Sequence, residues 1–136
     1  NNKMLISRFC EELTGITEET LKTQGRSLED TFEFLKQDFK IHKRPWISWG
    51  DYDRRQLGRE CQRKDIEYPF CRTHTNLKYE FSKLYNLHDQ YSVSRALEYL
   101  ALTFEGTPHS GLDDAYNIAR IQQQILELFR GALNER

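Results

Sequence analysis

The chain has 136 residues, of which 38% are hydrophobic, 12% aromatic and 30% charged, and its formal net charge is −1. This length supports one domain with a single core. The near-neutral charge excludes a broadly basic nucleic-acid binder, but it allows an enzyme that grips a few nucleotides through local positive charge.

Cysteine usage and hydropathy indicate an intracellular protein. Cys10, Cys61 and Cys71 are odd in number and have no CxxC spacing, so the sequence supports neither a disulfide framework nor a zinc knuckle. No apolar run approaches the roughly 20 residues of a membrane span, and the first residues lack the pattern of a signal peptide. We therefore expect no membrane partner and a cytoplasmic location, with the nucleus as the alternative in a eukaryote.

Helical signals dominate the first third of the chain. Between residues 2 and 13 the apolar side chains recur at helical spacing, which predicts a helix there. These side chains are Leu5, Ile6, Phe9, Cys10 and Leu13. Thr17 and Ser27 each precede acidic residues, so we predict that they cap a short helical turn and a longer helix over residues 27–40.

The pattern changes at Pro45. The segment PWISWG is short, aromatic and β-branched and is closed by Gly50, which is typical of a buried strand. Asp51 is the predicted N-cap of the next helix, which covers residues 51–65. A weaker strand candidate follows in RTHTNL, at residues 72–77.

Three more helices complete the chain. They are predicted over residues 77–86, over residues 92–102 with Ser92 or Ser94 as the cap, and from about residue 112 to residue 133. The last helix carries a continuous apolar face, made of Ala115, Ile118, Ala119, Ile125, Leu126 and Phe129. The order of the elements reads as α/β, but a sheet of two strands is too small to be stable alone.

The start of the last helix carries more polar groups than a helix start requires. It lies in HSGLDDAYNIARI, residues 109–121, where a capping box explains Ser110 as the N-cap and Asp113 near the third helical position. His109 and Asp114 are left without a role. A carboxylate such as Asp114 is a hard oxygen ligand for magnesium or manganese, and the neutral imidazole of His109 could take a proton from water.

The same stretch resembles the third motif of the DEDDh 3′–5′ exonucleases. It is especially similar to the ERI branch, the enhanced-RNAi and histone-mRNA exonucleases, and to bacterial relatives of that branch. In that family the histidine of the motif is the general base, and the aspartate five residues later is a metal ligand. The resemblance therefore implies that His109 is the catalytic base and that Asp114 binds metal.

Two further stretches are similar to the same family. SWGDYDRRQLG resembles the second motif, in which an aspartate follows an aromatic residue and opens a helix; this implies Asp53 as a metal ligand and leaves Asp51 as the cap. FCEELTGIT is similar to the ERI segment that leads to the second motif. The similarity extends from about Phe9 to Leu128, and it implies that residues 1–136 form a single exonuclease domain with the ribonuclease H-like α/β fold.

The family's first motif, Asp-x-Glu on the first strand, is not present. The acidic pairs of the N-terminal region all lie in helical contexts; they are Glu11-Glu12, Glu18-Glu19 and Glu29-Asp30. We expect that the N-terminal strands and this motif precede the sequence, and such strands would also complete the undersized sheet. A metal-poor homologue that has lost the motif is the alternative.

With the first motif present, the resemblance implies a hydrolase that uses two divalent cations, Mg²⁺ or Mn²⁺. It would cleave phosphodiester bonds from the 3′ end of single-stranded RNA or DNA, with RNA favoured, and release nucleoside 5′-monophosphates. The alternative is a non-catalytic nucleic-acid-binding or regulatory module of the same fold. The sequence specifies no oligomeric state.

Substrate contacts are less well defined by the sequence. Arg54 and Arg55 are weak candidates for phosphate contacts, and Trp49 is a weak candidate for stacking on a base. For each of them we favour a competing interpretation: a solvated helix face for the two arginines and for Arg120, and a core position for the tryptophan. Asn117 is predicted to tie the loop to the helix rather than to contact substrate.

Overall fold

The computed structural model describes residues 6–134 as seven α-helices, one π-helical turn and two short strands. In chain order they are α1 (Arg8–Thr14), α2 (Glu18–Gln24), α3 (Leu28–Phe34), the π-helical turn (Leu35–Phe39), β1 (Trp46–Ser48), α4 (Tyr52–Lys64), β2 (His74–Asn76), α5 (Leu77–Leu84), α6 (Val93–Tyr99) and α7 (Gly111–Asn134). Within this range no helix is both long enough and apolar enough to cross a membrane.

Side-chain caps fix where the first three helices begin. The hydroxyls of Ser7, Thr17 and Ser27 each accept a hydrogen bond from the backbone N–H three residues later, which satisfies a donor that has no partner within the helix. The predicted caps at Thr17 and Ser27 are therefore confirmed. The predicted start of the first helix is wrong, because Ser7 caps a helix that begins at Arg8; residues 2–5 lie outside the described residues.

The apolar stripe predicted for the first helix is not buried. Phe9 is 70% exposed and Leu13 is 41% exposed. In the part of the chain that the structure describes, neither α1 nor α2 contains a buried residue. Helical spacing creates an apolar face, but burial requires a second element packed against that face, and the described elements supply none.

The helix predicted over residues 27–40 is confirmed, with a change in its last turn. Helix α3 continues into the π-helical turn, and Lys40 ends this turn in the left-handed conformation with φ of 56°. Phe34 and Phe39 meet across the widened turn, with ring centroids 5.7 Å apart in edge-to-face geometry.

Both predicted strands form, and they pair with each other. β1 and β2 are parallel, with Trp46 opposite His74 and Ser48 opposite Asn76. Helix α4 lies between them in the chain, and it supplies the crossover connection that parallel strands require. The α/β class is therefore confirmed, whereas the presence of further sheet partners stays a prediction.

Phe81 of α5 lies at the centre of the hydrophobic core. Its side chain is fully buried among residues of α5, α6 and α7; the buried cluster consists of Leu77, Phe81, Ala96, Leu97, Ile121 and Ile125. Four further aromatic rings have centroids 4.7–6.4 Å from that of Phe81, and they belong to Trp49, Tyr85, Tyr91 and Tyr99. Trp49 follows β1 directly, so this aromatic cluster fixes the sheet against the helices.

The apolar face predicted for α7 is buried only in part. Ile125 enters the core, whereas Leu126 and Phe129 are 47% and 51% exposed. Ala115 and Ala119 are exposed as well, and they line the cleft described below. A continuous apolar face shows which side of a helix is available for burial, and the neighbouring elements decide how much of it is covered.

We expect Phe81→Ala to lower the free energy of unfolding by about 3–5 kcal/mol, because it opens a cavity among fully buried side chains. Phe9→Ala removes the same side chain from a position that is 70% exposed, and we expect a change within about 0.5 kcal/mol. Urea denaturation of the two variants measures the difference. Equal losses would show that Phe81 is not the centre of the core.

Candidate active site

Three polar residues from two distant parts of the sequence line one cleft. Asp53 in the first turn of α4, His109 on the loop before α7 and Asp114 in the first turn of α7 border a cavity of about 760 Å³. The other walls are largely apolar and include Trp49 and Phe104. The fold thus brings together the three residues that the sequence singled out for catalysis and metal binding.

The side chain of Asp51 does not cap α4, which corrects the prediction. Its carboxylate accepts hydrogen bonds from Arg54 Nε at 2.8 Å, from Arg54 Nη2 at 2.9 Å and from Arg55 Nε at 2.8 Å. Hydrogen bonds from Arg54 and then Arg55 lower the pKa of Asp51 to about 2. The backbone explains the difference, because Asp51 has φ of −113° and ψ of 1°, outside the extended conformation typical of an N-cap.

The two arginines after Asp53 are engaged away from the cleft. Arg54 and Arg55 both form ion pairs with Asp51, and their side chains are 49% and 67% exposed. The residues that line the cleft include Asp53 but neither arginine. The geometry therefore fits the solvated helix face that we favoured from the sequence, and it does not bring these two candidates to the substrate cavity.

Trp49 combines a core position with a place on the cleft wall. Its indole N–H donates to the backbone carbonyl of Tyr91 at 2.9 Å, and its ring lies 5.8 Å from that of Phe81. The same side chain borders the cavity beside Asp53. The core interpretation is confirmed by these contacts, and stacking on a base stays a prediction for the face that remains accessible.

A buried histidine joins the two strands beneath the start of α4. His74 Nε2 lies 2.7 Å from Ser48 Oγ, and the imidazole side chain is 7% exposed. Burial lowers the pKa of His74 below its ordinary value of 6.5, and the positive charge of Arg54 lowers it further. The imidazole is therefore a neutral structural group that links β1 to β2.

The loop before α7 is held against the helix by the helix's own aspartates. Asp113 Oδ2 accepts from the backbone N–H of Thr107 at 2.9 Å, and Asp114 Oδ1 accepts from that of His109 at 3.3 Å. The predicted capping box is therefore wrong about the partner of Asp113. The Asp113 carboxylate accepts from the backbone N–H of Thr107 rather than from that of Ser110. His109 itself has φ of 68°, a conformation that few residues other than glycine adopt.

Asn117 connects this loop to α7 through side-chain hydrogen bonds to Glu105. Its fully buried amide accepts from Glu105 N–H at 3.1 Å, and it donates to the carbonyls of Glu105 and Asp113, each at 2.8 Å. This confirms the predicted structural role of Asn117.

Arg120 belongs to the same network, since it donates to Thr103 O at 2.7 Å and to Asn117 Oδ1 at 2.9 Å. The prediction of a solvated face for Arg120 is therefore wrong.

Sequence reasoning missed the loop residues that complete this network. Glu105 carries both the backbone groups bound by Asn117 and a carboxylate 2.9 Å from Arg120. The glycine at position 106 was a sequence signal that could have pointed to this loop. Its φ is 90°, and a Cβ at this position would lie 2.5 Å from Asp113 Cγ. Only glycine combines this backbone conformation with such a close approach of the aspartate.

The carboxylates of the cleft are the type of ligand that a divalent cation prefers, but there are too few of them for a two-cation centre. Asp53 and Asp114 offer hard oxygen donors, and the nearby salt bridges use Asp51 and Glu105 instead, which leaves both cleft carboxylates outside these ion pairs. Across residues 6–134, however, no group of three or more His, Cys, Asp and Glu side chains could hold a metal ion. A two-cation centre needs more ligands than this.

The sequence matches the RNase_T family, described as exonuclease, over residues 1–122. The chain belongs to this family. Among curated proteins it is 31% identical over 130 residues to 3′-5′ exoribonuclease 1 of Rattus norvegicus, with 90% of this chain and 38% of that protein covered. It is 27% identical over 142 residues to the 3′-5′ exonuclease Snipper of Drosophila melanogaster, with 89% and 50% covered. The chain thus spans half or less of the length of these relatives.

Solved structures confirm the ribonuclease H-like fold and the DEDDh superfamily near the ERI branch. The nuclease domain of 3′hExo, a DEDDh family member bound to rAMP, superposes with a TM-score of 0.83 at 26% identity, over 93% of this chain and 68% of that chain. A 3′-exonuclease in a structure of 3′-end specific recognition of the histone mRNA stem-loop gives a TM-score of 0.75 at 28% identity, over 93% and 46%.

We expect Asn117→Ala to loosen the loop that carries His109, because it removes the partner of both backbone groups of Glu105. Losing such buried hydrogen bonds costs about 1–3 kcal/mol for each group left unpaired. Hydrogen exchange of the Glu105 amide should accelerate in this variant. Gln123→Ala, on an exposed part of the same helix, should leave that amide protected; equal exchange in both variants would contradict the role of Asn117.

We expect the stability of the protein to fall in acid through His74. Its folded pKa is below 6.5, so the unfolded chain takes up the proton first; the stability is fully present above about pH 6.5 and is lost as the pH falls through the folded pKa. Urea denaturation between about pH 7.5 and pH 5 measures this decline. His74→Gln should flatten it. His88→Gln, at a side chain that is 99% exposed, should not.

Proposed function

We propose that this chain is the catalytic part of a metal-dependent 3′–5′ exonuclease that acts on single-stranded nucleic acid. The observation that carries the proposal is that the start of α4, with Asp53, and the start of α7 with its preceding loop, with Asp114 and His109, meet at one cleft. Membership of an exonuclease family supports the reaction class, and curated relatives named exoribonucleases support RNA as the favoured substrate.

His109 is the proposed general base. Its side chain borders the cleft from an exposed loop, and the Asp114 carboxylate holds its backbone N–H. A neutral imidazole at this position accepts a proton from the attacking water. The oxygen of this water bonds to phosphorus while the bond from phosphorus to the 3′ oxygen of the preceding nucleotide breaks. A nucleoside 5′-monophosphate leaves, and the shortened strand keeps a 3′ hydroxyl.

Asp53 and Asp114 are the proposed protein ligands for Mg²⁺ or Mn²⁺. When bound, such cations stabilise the charge that develops on the phosphate during hydrolysis. A centre with two cations requires carboxylates beyond these two, since the described residues bring no further acid to the cluster.

The cleft walls fit the terminal nucleotide of a strand. Trp49 and Phe104 provide apolar surface on which a base can lie, and Asp53 and Asp114 provide the carboxylates at which a cation and the phosphate would meet. The 3′hExo nuclease domain was solved with rAMP, a ribonucleoside monophosphate of the kind proposed here as the product. A non-catalytic binding module is not favoured, because the matched relatives are named as exonucleases.

We expect a 3′-to-5′ ladder when the natural polypeptide that carries this sequence is incubated with 5′-labelled single-stranded RNA and manganese. His109→Gln should slow cleavage by about 10²–10⁴-fold, because it removes the base while leaving the cleft carboxylates in place. Asp114→Asn should lower the activity at least as much and should also weaken manganese binding, measured by calorimetry, whereas His109→Gln should leave binding unchanged.

Asp89→Asn is the matched control, since this carboxylate is 71% exposed and lies outside the cleft. It should cleave at the rate of the unaltered protein. If the folded protein gives no ladder with Mn²⁺ or with Mg²⁺, the catalytic assignment is wrong. If Asp114→Asn cleaves normally, the metal assignment is wrong even where the ladder appears.

A further inference from the structure

A turn rich in basic residues precedes β1. Lys40, Lys43 and Arg44 are all exposed, and the segment from residue 39 to residue 50 contains no acidic residue. This local concentration of positive charge contrasts with the net charge of −1 for the whole chain. It is the kind of local charge that a chain of neutral overall balance needs in order to hold a polyanion.

The fold adds a fourth cation to this turn from a distant part of the sequence. Cys71 N–H donates to the carbonyl of Ile41 at 2.9 Å, and Trp46 N–H donates to the carbonyl of Thr73 at 3.2 Å. These two bonds clamp the segment around Arg72 beside the turn. Arg72 is exposed, and residues 68–76 contain no acid. We refer to Lys40, Lys43, Arg44 and Arg72 as the basic patch.

The cations of the basic patch form no salt bridge, a property they share with some other described cations such as Arg59 and Lys64, but the two segments that carry the patch contain no acid. Most of the remaining lysines and arginines among the described residues are matched to acids. Arg54 and Arg63, for example, form ion pairs with Asp51 and Glu60 at 2.7–2.8 Å. Within residues 6–134 no salt bridge involves a member of the basic patch; the ammonium group of Lys40 bonds only to the carbonyl of Gln37. Unneutralised cations on one surface attract the phosphates of a nucleic acid.

The basic patch adjoins the wall of the catalytic cleft. Trp46, which lines the cleft, lies two residues after Arg44, and its indole N–H donates to the carbonyl of Cys71, the neighbour of Arg72. Its ring contacts those of His74 and Phe70 at tilted angles, with centroid distances of 4.3 and 4.9 Å. Trp46 thus joins the cleft wall to the segment that carries Arg72, and aromatic side chains beside positive charge are typical of single-strand binding surfaces.

We propose that the basic patch binds the sugar–phosphate backbone of the same strand whose 3′ end enters the cleft. This inference rests on the proposed function for the location of the 3′ end, but it concerns binding rather than cleavage. Nucleotides upstream of the reacting bond would run past Trp46 to the basic patch. Affinity would then grow with strand length and would fall with salt as phosphate contacts are screened.

The test is binding of 5′-fluorescent single-stranded RNA of about 12 nucleotides, measured by anisotropy in EDTA over a range of salt concentrations. The variant Lys43→Gln, Arg44→Gln, Arg72→Gln removes three contacts, so the slope of log K against log salt should become shallower by about 2. At roughly 0.1 M salt the affinity should fall about 10- to 100-fold. An RNA of about three nucleotides, which reaches only the cleft, should lose little.

The matched control is Arg59→Gln, Lys64→Gln, Lys78→Gln, which removes the same charge from α4 and α5 and should bind like the unaltered protein. The exchange Lys43→Arg, Arg44→Lys, Arg72→Lys should restore binding if charge is what matters. Equal affinity and salt slope in the patch and control variants would overturn the inference. An acidic peptide of equal charge that displaced the RNA equally well would also overturn it.

Binding in EDTA needs no hydrolysis, so the two proposals fail separately. A missing ladder would remove the proposed catalysis and leave the patch to be judged by its salt slope. If the ladder is normal and the patch variant binds RNA like the unaltered protein, the proposed role of the basic patch is wrong and the proposed catalysis stands.

Discussion

The buried amide of Asn117 holds the loop of residues 102–110 on α7, and the geometry of the cleft depends on that attachment. One side chain satisfies the N–H and the carbonyl of Glu105 and the carbonyl of Asp113. Because unpaired polar groups in a low-dielectric interior are costly, the loop has one favourable position on the helix. His109 follows in that loop, so its place beside Asp114 is a consequence of this network.

Among the described residues, the salt bridges near the cleft involve acids other than Asp53 and Asp114. Asp51 binds Arg54 and Arg55 on the outer side of α4, and Glu105 binds Arg120 beneath the loop. These pairs occupy Arg54, Arg55 and Arg120, none of which lines the cleft. Among the residues that line the cleft, no arginine therefore competes with a divalent cation for the carboxylates of Asp53 and Asp114.

Residue patterns predicted a large part of this arrangement, and their failures share one cause. The caps at Thr17 and Ser27, the two strands and the last helix follow from local chemistry, and they are confirmed. Local patterns did not predict whether an apolar stripe would be buried or exposed. Phe9 is exposed and Ile125 is buried, although both lie at helical spacing, because burial depends on which element packs against the helix.

The sequence by itself determined the chemistry that is available: a histidine and an aspartate five residues apart, a second aspartate after an aromatic strand, and the motifs that relate the chain to an exonuclease family. Side-chain identity and short-range spacing are properties of the chain alone. Tertiary structure decided which groups meet. It paired Asp51 with two arginines, turned Arg120 inward to Glu105 and placed Arg72 beside the turn of Lys43, because such partners are chosen by packing between distant segments.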